Sequence, residues 1–547
     1  MLAQVKQAIY SLNRAPRWVI FVFAATILAL LSLTVYRYQR PSVNLTTLVP
    51  ADTILYLETP DLGFALKALV ANEAFDSAVS RPDFSALDGM PVAVAVSGFD
   101  ASEKALNDGA SEANWRPRFV AISETGFFSW QARSFIEAKL GPFIESSLGG
   151  DVRLEKSAIE GGDKYVWSAN DGRRSFALLL GSRIYFSNDE PLLDRCLEVE
   201  RNNQPNLSSN SRIAILKANS SKSAMLGFLS ADGVASVSNL MGMSTAISST
   251  DDEVARSLIA RTIPQVIQGS VKEISWTASV VKNGIEDVIE FSMDADIAEK
   301  LLASTASVEG SRGKAEDFIS SDAQGVTRYE FSRPDVAWRT TIEIARSTVD
   351  PLNARLMDRL AGGLFESFGI TDHGVFLLAA KGRIVSGRFD SEGEEVVAVT
   401  EVSDFEAIKP ALGLVDFSLP AQDLEGAQLW KSADGDFAAA SIGSFAIVGD
   451  AESVVRCIKA HAAGSTLAKR PIYPPFTEST APIVTFGTDS ETAEQIIDAL
   501  AARTDANQRI TSGFVTETRF GGRGIQRKTT SPFGLFGTLV SQFAPRR

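Results

Sequence analysis

Apolar positions follow three patterns along this chain. The first is an unbroken run from Trp18 to Tyr36, 19 residues without a charge. As a helix it would be about 28 Å long, close to the roughly 30 Å hydrocarbon core of a bilayer. Trp18 and Tyr36 stand at its ends, where amphipathic rings favour the membrane interface. A cleaved secretory signal has a shorter apolar core, about 7–15 residues, ending at small residues. Here the run passes into Tyr36-Arg37-Tyr38-Gln39-Arg40 with no Ala-x-Ala site. The reading is an uncleaved transmembrane anchor over 18–36, preceded by a cytoplasmic flank at 1–17. Lys6, Arg14 and Arg17 on the amino side outnumber Arg37 and Arg40 beyond, which places the amino end inside and the body outside.

The second pattern is short β-type runs bounded by turn residues, and these recur. Trp167, Asp171-Gly172, Phe176-Ala177, Gly181-Ser182 and Arg195-Cys196-Leu197 are answered in order by Trp430, Asp434-Gly435, Phe437-Ala438, Gly443-Ser444 and Arg456-Cys457-Ile458. Thr53–Glu58 leads into Thr59-Pro60-Asp61, and Val326–Phe331 into Ser332-Arg333-Pro334-Asp335. Both read as a strand, a Ser/Thr N-cap and a proline near the first helical turn. Val120–Glu124 and Val397–Glu401 match as strands, each feeding a helix, over 135–141 and 405–413. Each half closes with a hairpin pattern, turning at Lys282-Asn283-Gly284 and at Gly521-Gly522-Arg523-Gly524.

These matches divide the exported region into a first α+β repeat at 45–300, a polar linker at 301–325 and a second α+β repeat at 326–541. Adjacent hairpins favour antiparallel sheets over a doubly wound sheet. The polar runs Asp100–Pro117 and Asn202–Ser211 read as loop insertions. The third pattern is a helical period over 231–269, with Met243, Ile247, Val254 and Leu258 on one face and a break or kink expected before Pro264.

Charge sharpens the placement. Residues 1–50 hold five Lys or Arg and no acid, so the whole-chain net charge of −14 leaves −19 for residues 51–547. An acidic body lacks the clustered cations that nucleic acid demands. With 45% apolar and 22% charged residues, the composition is that of a folded globular chain. The two cysteines, Cys196 and Cys457, sit in apolar helical surroundings and read as buried thiols rather than a bridge.

Candidate chemistry is sparse. His373 and His461 have no neighbouring ligand pair of the kind zinc requires. No Gly-x-Ser-x-Gly elbow occurs. Gly521-Gly522-Arg523-Gly524 lacks the Lys-Ser/Thr ending of a P-loop and reads as a hairpin turn. Asp171 and Asp434 precede glycines as ordinary turn residues. Asp61 and Asp335 suit first helical turns, and Trp167 and Trp430 suit strand packing. No catalytic, cofactor-binding or metal-ligating residue is assigned, and no cofactor is expected.

The segment Leu48–Glu58, beginning Leu48-Val49-Pro50-Ala51-Asp52 directly after the anchor, resembles an uncharacterised family of membrane-anchored, exported bacterial proteins, a domain of unknown function. Gly-Ser strands leading into acidic helix starts and the late Ser531-Pro532-Phe533-Gly534 carry the same likeness. The resemblance implies an envelope location and an α+β body, and carries over no catalytic residue.

The function expected is a non-enzymatic module of the inner membrane, anchored through 18–36, with its bulk in the periplasm and another envelope protein as partner. The apolar stretch Phe533–Phe543 is one candidate docking element, with core packing as the alternative. The runners-up are a module for an apolar small molecule or lipid, which 32 phenylalanines permit, and a carboxylate-based glycan hydrolase.

Overall fold

The computed structural model describes residues 43–71, 82–105, 111–126, 128–149, 151–220, 222–249, 252–282, 284–306, 315–469, 476, 478–500 and 512–543. The expected anchor at 18–36 and its flank at 1–17 lie outside these residues. Among the described residues no helix is long and apolar enough to cross a membrane.

The first half contains strands β1 (Leu55–Thr59), β2 (Val92–Ala105), β3 (Ser111–Glu124), β4 (Val152–Ile159), β5 (Gly162–Ala169), β6 (Arg174–Leu180), β7 (Arg183–Ser187), β8 (Met225–Leu229), β9 (Val271–Val281) and β10 (Gly284–Met293). Its helices are α1 (Leu62–Val70), α2 (Ser129–Phe135), α3 (Gly141–Leu148), α4 (Glu190–Glu200), α5 (Ser211–Asn219), α6 (Ala231–Ser249), α7 (Glu253–Ser270) and α8 (Ala295–Ser304). The second half contains β11 (Gly325–Glu330), β12 (Ala380–Arg388), β13 (Val396–Val402), β14 (Gln422–Leu424), β15 (Ala427–Lys431), β16 (Phe437–Ile442), β17 (Phe445–Asp450), β18 (Ile483–Thr488), β19 (Gly513–Gly521) and β20 (Gly524–Ser531). Its helices are α9 (Pro334–Ser347), α10 (Pro351–Glu366), α11 (His373–Ala379), α12 (Ala451–Ala463), α13 (Ser490–Leu500) and α14 (Gly534–Phe543).

All 20 strands among the described residues join one antiparallel sheet. From one end the order is β4-β5-β6-β7-β3-β2-β1-β8-β9-β10, and it continues β20-β19-β18-β11-β12-β13-β17-β16-β15-β14. Read from either end, the sequence of places is the same. The fold is mixed α+β around a large antiparallel sheet, as hairpin-rich patterning requires.

The two halves meet at β10 and β20. Gly284 and Gly524 open these strands with φ of 136° and 131°. A Cβ on Gly284 would stand 2.3 Å from the Ser531 carbonyl oxygen, and one on Gly524 would stand 2.1 Å from that of Phe291. Four residues beyond each glycine lie Val288 and Lys528, which pair with each other. A local twofold relation therefore passes through that pair. The strands have opposite charge: β10 carries Glu286, Asp287 and Glu290, while β20 carries Arg527 and Lys528, with Lys528 Nζ 3.0 Å from Glu286. The following helices cross over. Helix α8 packs on β19 and β20, and α14 packs on β9 and β10.

Beneath α4 and α12 lie two separate cores, with Cys196 and Cys457 at 0% exposure, one in each. Both are free thiols, and burial pushes each up to about 12.

Several local expectations are corrected. The stretch read as a linker, 301–325, ends in packed structure: Ala315–Phe318 forms a short 3₁₀ helix, and Ala315, Phe318, Ile319 and Ala323 are core residues. In the run 100–117, residues 100–105 and 111–117 are strand rather than loop, because β2 and β3 stay paired out to Ala105 and Ser111. Nor is 202–211 an insertion. Asn206 bridges Pro50 much as Thr466 bridges Ser320 in the second half. Helix α1 is capped by Asp61, whose carboxylate accepts from the Phe64 N–H at 2.9 Å, rather than by Thr59. Helix α9 has no side-chain cap, and Phe405–Ala411 forms two 3₁₀ turns instead of a helix.

Candidate functional site

Alternation along β9 gives its two faces different work. Trp276 and Ala278 point into a core shared with α1, α13 and α14. Ser275, Thr277 and Ser279 point the other way, into a groove of about 300 Å³. Its floor is β8, β9 and β10, its wall is α5, and Arg523 from the β19–β20 turn closes one end.

Helix α5 is fastened by charge. Asn210 caps it, accepting from the Arg212 N–H at 2.9 Å. Near its far end, Lys217 Nζ donates to both oxygens of Glu58 at 2.9 and 2.7 Å, and to Asn44 at 2.9 Å. Tyr56 donates to the same carboxylate at 2.7 Å. Burial, then the Glu58 charge, hold the Tyr56 phenol well above its ordinary range. The strand position of Glu58, opposite Leu226 on β8, is occupied in the second half by Arg328, opposite Val484 on β18. That buried guanidinium donates to the carbonyls of Phe476 (3.0 Å) and Ser479 (2.5 Å). Both halves thus clamp the segment over this sheet face with a buried ion, of opposite sign in each. Similarity between the halves gave no sign of this, because the residue types do not match.

Within the groove some groups are engaged and some are not. Arg212 Nε lies 3.4 Å from Glu273, and Glu290 accepts from Gln526 at 3.1 Å. Ser220 donates to the Leu216 carbonyl at 2.6 Å, and Ser223 lies 3.4 Å from Ser279. Among the described residues, the side chains of Asn219, Ser275, Thr277, Ser292 and Arg523 make no hydrogen bond or ion pair. The Arg523 carbonyl accepts from the Met293 N–H at 3.0 Å, which fixes its turn beside Ser292. Ile215 on α5 is 53% exposed at the rim. The lining holds no histidine or cysteine, so its hydroxyls have no imidazole beside them. The arrangement is equipped to bind through hydrogen bonds and charge.

Comparison with protein-family models, curated proteins and solved structures finds no match.

Residues singled out from the sequence lie elsewhere. His461 approaches the Asp317 carbonyl oxygen at 2.9 Å through Nδ1 and stacks on Phe318. His373 stacks on Phe365 at 5.3 Å, within a different core. Among the described residues no three His, Cys, Asp or Glu side chains gather as metal ligands. Asp171 and Asp434 close turns. The Arg173 N–H and guanidinium lower the first carboxyl, and the Ser432 hydroxyl and Asp436 N–H lower the second. Asp335 is held by Arg333 and Arg339. Trp167 stacks on Tyr165, while Trp430 lies under Phe405 with the Lys409 ammonium 5.1 Å from its ring centre. In the C-terminal stretch Phe533 and Phe536 are buried, with Leu539 and Val540 packed against the same core, while Leu535 is 39% exposed. Only Arg523, read from the sequence purely as a turn residue, belongs to the groove.

Proposed function

We propose that this chain is a fused duplication, anchored in the inner membrane through 18–36, whose periplasmic body binds a segment of another envelope protein and catalyses nothing itself. The observation that carries the reading is the groove. Both halves build it, its mouth is open, and it presents hydroxyl, amide and guanidinium groups that are unpaired among the described residues, beside half-exposed Ile215. Unpaired polar groups next to an apolar rim suit a polypeptide, which offers backbone donors and acceptors together with side chains. They suit a lipid tail poorly, since an apolar ligand would leave those groups desolvated. The acidic body argues against nucleic acid. The sequence likeness to exported, anchored proteins supports the location.

The test is photo-crosslinking in cells with the full-length chain, carrying a photoreactive residue at position 215 or, as a control, at Glu155 on edge strand β4. Recurrent capture of one or two envelope proteins at 215 and not at 155 is expected. Identical captures at both positions, or recovery of the protein alone, would sink the proposal.

A further inference from the structure

We infer that the groove holds its partner as an extended polypeptide, with a carboxylate of that segment seated between Arg212 and Arg523. This rests on the reading above and names the chemistry of the same site.

Two observations carry it. The first is spacing. Ser275, Thr277 and Ser279 occupy alternate positions of one strand, so their hydroxyls repeat about every 6.8 Å and the row spans roughly 14 Å. An extended chain laid along β9 repeats its backbone groups with the same period. Each hydroxyl then meets a carbonyl or N–H of every second residue, and each can donate or accept as required. A compact ligand would engage one hydroxyl and leave the others dry and unpaired.

The second observation is where the cations stand. Glu273 and Ser292 face each other across the β9–β10 ladder. Arg212 reaches this end from α5, 3.4 Å from Glu273. Arg523 reaches it from the other half, its turn tied to Met293. Of the two carboxylates in the lining, Glu273 is paired with Arg212 and Glu290 accepts from Gln526; among the described residues neither is paired with Arg523. Arg523 has no acceptor among the described residues. A planar guanidinium with open donors takes a carboxylate through two parallel hydrogen bonds. An incoming carboxylate on Arg523 takes up its open donors, and the Ser292 hydroxyl stands beside it as a further donor. Because Arg523 comes from β19–β20 and the hydroxyl row from β9, neither half holds the segment alone.

The carboxylate has two possible sources, an Asp or Glu side chain or a free C-terminus. Random seven-residue peptide libraries, one with free C-termini and one amidated, would be selected against the full-length chain in detergent. Enrichment of Asp or Glu in both libraries identifies a side chain, while enrichment only with free C-termini identifies the terminus. Either result supports the inference, provided Arg523→Ala weakens the enriched peptides about tenfold or more with unchanged thermal unfolding, and Arg523→Lys weakens them less. Enriched peptides without a carboxylate would overturn it. So would affinities that stay within about twofold for both Arg523→Ala and Arg212→Ala. No enrichment at all, together with site-specific capture at position 215, removes the carboxylate and leaves the partner-binding reading. No enrichment and no capture removes both.

Discussion

Asp287 shows how much one residue joins. Its carboxylate is 3% exposed; Oδ1 accepts from the Trp276 indole at 2.8 Å and Oδ2 from the Leu535 N–H at 2.8 Å. It thus ties α14 of the second half to the hairpin of the first. Burial raises its carboxyl above the usual range, and the Leu535 and Trp276 hydrogen bonds offset only part of this. Between the unfolded value, about 3.9, and the raised folded one, the folded chain binds more protons. Its contribution to stability is therefore present below about pH 3.9 and is lost as pH rises through the folded value. Asp287→Asn cannot ionise and leaves one of the two N–H donors without an acceptor, which costs about 1–3 kcal/mol. Urea midpoints should show a larger gap between wild type and Asp287→Asn at pH 3.5 than at pH 7. A gap that widens toward pH 7 would contradict this. At this scale the sequence was informative where local chemistry decides the role, as in the turns at Asp171-Gly172 and Asp434-Gly435. It was silent at Glu58 and Arg328, whose shared place follows only from strand pairing.

Among the elements, the α6–α7 pair divides the stretch read as one helical face: Met243 and Ile247 fall on α6, Val254 and Leu258 on α7, and Val254 is 70% exposed. The stretch is helical, but as two helices packed on each other, and Pro264 lies buried inside α7. A proline there leaves the Ala260 carbonyl without its helical donor. Gly242 of α6 lies against that carbonyl, and a Cβ at this position would stand 2.7 Å from the Ala260 oxygen and 2.7 Å from Pro264 Cδ. The glycine lets the two helices close over the proline. On an open helix Gly→Ala stabilises by roughly 0.5–1 kcal/mol. Here the added methyl meets backbone and a ring, and overpacking costs about 1–3 kcal/mol. Gly242→Ala should therefore lower the melting temperature. An unchanged or higher value would show that the pair spreads without penalty.

For the whole molecule, the decisive feature is the β10–β20 seam with its exchanged helices. Acidic β10 beside basic β20 favours pairing between the halves, because two copies of β10 in the same register would set Glu286 opposite Glu290. The halves should stay together once covalently parted. With a protease site placed within 307–314, cleavage should leave both fragments eluting as one species, and separating them should need denaturant. Fragments that part in buffer would show that the covalent connection, rather than the seam, holds them. The sequence by itself determined the strand patterns, the turns, the matching order of the halves and the mixed α+β class, because period, glycine placement and burial preference act over a few residues. The tertiary structure decided that 315–323 is core, that α14 packs on the hairpin of the other half, that opposite ions clamp equivalent faces, and that Arg523 closes a groove built on β9. Those outcomes depend on which surfaces meet across hundreds of residues, and no local pattern records such a meeting.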